Sequence, residues 1–96
     1  MFQISIAEVL SITNPIIVDI RSNYYYSLGH ISGAISVPYY NLLNNYSHYL
    51  TKYQKYYLYC DTGEQSSEIV LRLNRFGYDT VNIQGGYQEY KRLFGE

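Results

Sequence analysis

Short apolar runs alternate along this chain with segments of helical periodicity, and this alternation constrains the fold more than any other feature. Residues 16–20 are β-branched apart from Asp19, which suits a strand buried on both faces of a parallel sheet. Further strands are predicted at residues 2–4, 34–37, 56–59 and 80–83. Because strand and helix alternate, we predict an α/β three-layer sandwich with a central, mostly parallel five-stranded sheet, flanked by helices and connected by right-handed crossovers.

The intervening segments predict the helices. Ser5 and Glu8 have the spacing of a capping box, so a short helix should begin at Ser5. The clearest helix should be capped by Ser66 or Ser67 and should end at Gly77. Its apolar stripe consists of Ile69, Val70, Leu73 and Phe76. Other helical segments are expected at residues 24–28, 39–50 and 87–94, the second as one or two short helices.

Length and charge restrict the classes of function. The 96 residues fit one domain, residues 1–96, and seven Lys and Arg against eight Asp and Glu give a net charge of −1. Such a balance disfavours binding to nucleic acid or to a membrane surface. No apolar run approaches the roughly 20 residues that span a bilayer. A single cysteine and the lack of a leader pattern predict a cytoplasmic protein.

Cys60 is the only cysteine, and it follows the predicted strand 56–59 directly. Ligand sites of parallel sheets lie at the carboxyl ends of strands. The loop after Cys60 can curl so that backbone N–H groups surround the sulfur and favour the nucleophilic thiolate, and Gly63 permits the turn. This loop consists of Asp61, Thr62, Gly63, Glu64, Gln65 and Ser66. A small buried apolar residue at a strand end is the ordinary alternative for a cysteine.

Four segments resemble the rhodanese-like domain family. Residues 18–21 are similar to its first motif, and residues 29–38 are very close to its second, a Gly-His-Ile-x-Gly-Ala stretch that ends in proline. Residues 60–66 occupy the place of the active loop. Gly85 and Gly86, with Tyr90 in place of tryptophan, resemble the terminal motif. The order and spacing agree with one family domain.

The resemblance implies a sulfurtransferase, similar to thiosulfate sulfurtransferases, in which Cys60 carries a persulfide. The sulfur donor would be thiosulfate or a protein persulfide, and the acceptor would be cyanide, a thiol or a sulfur-relay protein. No metal or organic cofactor is implied. The alternative is a non-catalytic member that carries sulfur or binds a partner.

Several residues qualify this interpretation. Asp61 and Glu64 stand in a loop where family members often carry Arg or Lys, so thiosulfate is expected to be a poor donor. The carboxylates disfavour a thiolate at Cys60, and the N–H cradle favours it. The sequence leaves open which of these effects is larger. In the family pattern Asp19 and Arg21 brace loops rather than act as acid and base. His30 lies in a glycine-flanked turn and is expected to tie backbone segments together.

Two other cysteine chemistries fit less well. The related phosphatases of the cell-cycle type close a loop one residue longer with an arginine that binds phosphate. Here Ser66 occupies the sixth position after Cys60, and the first arginine after the cysteine is Arg72. A disulfide reductase would need a second cysteine in the chain to resolve a mixed disulfide.

Overall fold

The computed structural model describes residues 2–95, which form a sheet flanked by helices. The strands are β1 (Gln3–Ile4), β2 (Ile16–Asp19), β3 (Ile35–Ser36), β4 (Lys55–Tyr59) and β5 (Asp79–Ile83). The helices are α1 (Ile6–Leu10), α2 (Asn23–Leu28), α3 (Tyr39–Tyr49), α4 (Glu64–Arg75) and α5 (Gly86–Phe94). None of the helices within residues 2–95 is long and apolar enough to cross a membrane.

The sheet has the strand order β1-β5-β4-β2-β3, and every neighbouring pair is parallel. Strand β4 is therefore central, and the carboxyl ends of β2, β4 and β5 meet at one edge. This arrangement confirms the predicted α/β fold with a five-stranded parallel sheet.

Apolar clusters cover both faces of the sheet, which makes the three layers. One cluster packs α3 and α4 against the sheet, and its helical members include Leu42, Ile69, Val70 and Leu73. The other packs α1 and α5 on the opposite face, and its helical members include Ile6, Val9, Tyr87 and Tyr90. Residues 56–59 of β4 are thus buried on both faces, in agreement with their continuous apolar sequence.

The predicted capping box of α1 is confirmed, because Ser5 and Glu8 exchange hydrogen bonds between side chain and backbone. The prediction that Ser66 or Ser67 caps α4 is wrong. This helix begins earlier, at Glu64, because Gly63 adopts a φ of +103° at the N-cap position and turns the chain one residue before the helix.

The stripe of α4 also differs at its end. Phe76 was expected in the core, but it is 47% exposed and stacks on Tyr46 of α3. In α3 the backbone leaves helical geometry at Asn45, so residues 39–49 are two short helices joined at a kink. This agrees with the prediction of one or two short helices.

A buried carboxylate links the central strands to the loops at the edge of the sheet where β2, β4 and β5 end. Asp19 is fully buried at the end of β2, and its Oδ2 accepts hydrogen bonds from Arg21 Nη2 at 2.7 Å and from the Tyr59 hydroxyl at 2.6 Å. Arg21 Nη2 also donates to the Gly29 carbonyl, and the Ile31 N–H donates to the Tyr59 hydroxyl. The cluster therefore holds β2, β4 and the segment between α2 and β3 together.

The ionisation of this cluster follows from its hydrogen bonds. Burial lowers the pKa of Arg21, but the hydrogen bonds and charge of Asp19 outweigh it, so the pKa lies above its ordinary value. Burial and the hydrogen bond to Asp19 raise the pKa of Tyr59 far above its usual range. Arg21 thus stays charged and Tyr59 stays a neutral donor at physiological pH.

We predict that Asp19→Asn lowers the free energy of unfolding by about 3–5 kcal/mol, because Arg21 loses its buried counter-ion. Urea denaturation of the two proteins measures this difference. Asp79→Asn is the matched control, since Asp79 is exposed and should change stability by less than about 0.5 kcal/mol. Equal losses in the two variants would contradict the structural role of Asp19.

Candidate active site

Cys60 lies at the first position after β4, at the centre of the edge where the parallel strands end. Its side chain is buried, with 4% of its surface exposed. The sulfur accepts hydrogen bonds from the backbone N–H of Gly63 at 3.1 Å and of Ser66 at 3.4 Å. The Ser66 hydroxyl lies 3.4 Å from the same sulfur. The loop of residues 60–66 therefore surrounds Sγ with donors that favour an anionic sulfur.

The predicted loop residues divide into inward and outward groups. Gly63 and Ser66 face the sulfur, and Ser66 is fully buried. The side chains of the others are exposed: Asp61, Thr62, Glu64 and Gln65. The two carboxylates thus lie at the rim of the loop, where water screens them, and not against the sulfur.

The Gly85-Gly86 turn packs directly on the backbone of Cys60. The N–H groups of Tyr87 and Gln88, in the first turn of α5, donate to the carbonyls of Cys60 at 2.9 Å and Asp61 at 3.0 Å. A Cβ on Gly86 would approach the Cys60 and Asp61 carbonyl oxygens at 2.3 and 2.7 Å. Only glycine allows this approach. From the sequence, Gly85 and Gly86 were identified by their resemblance to the terminal motif, which carried no indication that they pack on the cysteine loop.

Arg21 brings the Asp19 cluster into contact with α5, beside the cysteine loop. The Arg21 guanidinium carbon lies 4.0 Å from the centre of the Tyr87 ring, so the buried ion pair also contacts α5. Such a cation–π contact favours a fixed ring. The Asp19 cluster and the α5 turn therefore meet beside the cysteine loop.

His30 ties its own turn together. Its Nδ1 lies 2.8 Å from the Tyr26 carbonyl oxygen, and its ring stacks on the Tyr26 ring with the centres 3.8 Å apart. Within residues 2–95, His30 makes no hydrogen bond to Cys60. His48 is exposed on α3.

A cavity of about 540 Å³ opens next to the cysteine loop. Its polar lining includes Arg21, Asp61 and Lys91, and its apolar lining includes Tyr25 and Leu28 of α2. Cys60 itself does not line the cavity, and the loop reaches the cavity through the neighbouring Asp61. Lys91 lies on α5, and no local sequence pattern indicates that it lines this cavity.

Residues 5–93 match the family model of the rhodanese-like domain. The chain belongs to the rhodanese-like domain family. Within that family, Tyr90 stands in place of the usual tryptophan of the terminal motif. It stacks against Tyr87 and packs on the cluster between α5 and the sheet.

Known proteins agree with this assignment. The chain is 28% identical over 92 residues to a tRNA uridine(34) hydroxylase of Buchnera aphidicola, covering 88% of this chain and 29% of the relative. It is 28% identical over 95 residues to the adenylyltransferase and sulfurtransferase uba4 of Ogataea parapolymorpha, covering 94% and 23%. The chain thus spans less than a third of these curated relatives.

Among solved structures, a protein of Staphylococcus saprophyticus superposes with a TM-score of 0.85 at 30% identity. The superposition covers 94% of this chain and 93% of that protein. The two chains therefore share the fold over nearly their whole lengths.

We predict that Gly86→Ala disturbs Cys60 more than an alanine at another glycine of positive φ. The new methyl group would collide with the Cys60 and Asp61 carbonyls, and such overpacking costs about 1–3 kcal/mol beyond the backbone strain. Thermal unfolding measures the loss of stability, which should lower the melting temperature. The rate of Cys60 alkylation by iodoacetamide measures the disturbance of the loop, and this rate should change.

Gly33→Ala is the control, because Gly33 also has a positive φ but has no atom within 4 Å of an added Cβ. It should cost only the strain of the left-handed backbone, about 1–2 kcal/mol, and leave alkylation unchanged. If both variants behave alike, the close packing of Gly86 is not what holds the loop.

Proposed function

We propose that this chain is a sulfurtransferase that moves a sulfane sulfur through a persulfide on Cys60. The observation that supports this best is the position of Sγ, which accepts hydrogen bonds from two backbone N–H groups inside the loop at the end of β4. These donors stabilise a sulfur anion without a neighbouring general base. A reducing compartment such as the cytoplasm would keep this single thiol available.

The reaction has two displacements. In the first, the Cys60 thiolate attacks the outer sulfur of the donor, the S–S bond of thiosulfate breaks, and sulfite leaves with the electron pair. In the second, an acceptor thiolate or cyanide attacks the terminal sulfur of the persulfide. The Sγ–S bond then breaks, and its electron pair returns to Sγ as a thiolate.

A second candidate is a module that receives sulfur only from a partner protein or only binds one. Tyr25 and Leu28, which are 55% and 68% exposed, lie in the lining of the cavity beside the loop. Exposed apolar side chains at the rim of a site favour contact with another protein. Donor identity separates the two candidates.

We predict that incubation with thiosulfate adds the mass of one sulfur atom to the intact protein and that cyanide removes it. A cysteine desulfurase with its substrate cysteine serves as the protein donor in a parallel reaction. Intact mass spectrometry detects the adduct, and Cys60→Ser should show none. An adduct formed only from the protein donor favours the second candidate.

Alkylation of native Cys60 is the control for access to the sulfur. If Cys60 alkylates in the folded protein but neither donor produces the adduct, sulfur transfer by this domain is wrong.

The charged side chains of the cavity should influence the binding of an anionic sulfur donor. Asp61 is exposed at its rim and accepts hydrogen bonds from Gln88, so it stays in place as a negative charge. Lys91 is exposed in the same lining and forms no salt bridge within residues 2–95. It offers a positive charge that the loop itself lacks. Glu64 does not line this cavity.

We predict opposite effects at these two positions. For thiosulfate, Asp61→Asn should raise kcat/KM and Lys91→Gln should lower it, each by about three- to tenfold at low salt, because the donor is a divalent anion. Added salt should reduce both effects. A continuous assay of the cyanide reaction measures the rates.

Lys55→Gln is the control for net charge, since Lys55 is exposed at the start of β4, at the opposite edge of the sheet. It should leave kcat/KM unchanged. Changes in the same direction for Asp61→Asn and Lys91→Gln would exclude capture of the donor by the charge of this cavity.

A further inference from the structure

A buried pair of polar side chains stands behind the sulfur of Cys60. The Ser66 hydroxyl lies 3.4 Å from Sγ and donates a hydrogen bond to Oδ1 of Asn82. Asn82 belongs to β5, next to β4 in the sheet, and is only 2% exposed. Ser66 is fully buried. Water therefore has little access to this pair.

The hydroxyl carries one hydrogen, and two acceptors compete for it. While it donates to Asn82, an Oγ lone pair faces Sγ, and this arrangement suits a neutral thiol that donates its S–H. A thiolate has no hydrogen to give, so the same lone pair would repel it. The hydroxyl must then turn and donate to Sγ.

Asn82 is suited to follow this turn. Within residues 2–95 its only side-chain hydrogen bond is the one that Oδ1 accepts from Ser66, so rotating the amide breaks no other hydrogen bond. The rotation would present Nδ2–H to Ser66 Oγ, which replaces the hydrogen bond that the hydroxyl gives up. In both arrangements the Ser66 hydroxyl keeps a hydrogen bond to Asn82, so the pair can respond to a change of charge at Sγ.

We propose that Ser66 and Asn82 form a hydroxyl switch that follows the charge on Cys60. Ser66 is a catalytic residue that accepts from the thiol and donates to the thiolate, and Asn82 is the positioning residue that permits both states. In the second displacement, Sγ gains an electron pair as the Sγ–S bond breaks, and the Ser66 hydroxyl donates to this forming thiolate. This last step rests on the proposed sulfur transfer, but the switch at the free cysteine does not.

The pH dependence of Cys60 alkylation by iodoacetamide tests the switch, because the thiolate reacts and the chain has no other cysteine. Ser66→Ala keeps the backbone N–H but removes the hydroxyl, and it should move the midpoint up by about one pH unit, a tenfold loss of thiolate. Ser67→Ala is the matched control. The Ser67 hydroxyl donates to the Glu64 carbonyl, so the midpoint should not move.

Two variants of Asn82 test its part. Asn82→Asp offers only acceptors, so it should keep the hydroxyl turned away from Sγ and raise the midpoint. Asn82→Ala removes the competing acceptor, so the midpoint should stay or fall. Differential scanning calorimetry identifies any variant that does not fold, and the remaining variants still test the proposal.

Discharge of the persulfide by cyanide, followed by mass spectrometry, tests the leaving-group step. It should be about tenfold slower in Ser66→Ala. An unchanged midpoint in folded Ser66→Ala, or midpoints that rise alike in both Asn82 variants, would overturn the switch. If the midpoints shift as expected but no persulfide forms in the unsubstituted protein, the switch stands and the sulfurtransferase function is wrong.

Discussion

The carboxylate of Asp19 is the charge on which the active edge of this domain depends. A buried carboxylate is tolerated only where donors satisfy it, and here the donors are Arg21 and Tyr59. The same arginine binds the Gly29 carbonyl and lies against the Tyr87 ring. The Asp19 carboxylate and its two donors therefore link the motif of residues 29–38, strand β4 and helix α5. These elements surround the cysteine loop. These contacts hold backbone segments together, and the structural role that the family resemblance implied for the pair stays a prediction.

The cysteine loop is held from both sides. Inside it, N–H groups of Gly63 and Ser66 point at the sulfur. Outside it, the first N–H groups of α5 bind the loop carbonyls, and Gly86 brings α5 close enough to do so. The backbone N–H donors at Sγ are therefore preorganised and need not rearrange when sulfur is transferred. The acidic side chains of the loop lie outside this cradle, and Lys91 from α5 offsets them at the cavity.

Local patterns predicted the elements more reliably than their ends. The capping box of α1 needs only neighbouring residues, and the apolar runs 16–20 and 56–59 indicated buried strands without any tertiary information. The start of α4 was missed because Ser66 has the side chain of a good cap but points at Cys60 and Asn82. Phe76 continued the apolar stripe of α4. How much of that stripe is buried depends on the position of α3, which the sequence of α4 does not show.

Periodicity and motif spacing are local properties of the chain, so they were enough to predict the parallel α/β fold, the family and the strand-end position of Cys60. Tertiary structure alone decided which distant residues meet at the sulfur. Asn82 reaches Ser66 because β5 lies beside β4, and Lys91 reaches the cavity because α5 begins on the cysteine loop. Neither residue carries a local signal of its role, since each is an ordinary polar residue until strand pairing and helix packing place it beside the active loop.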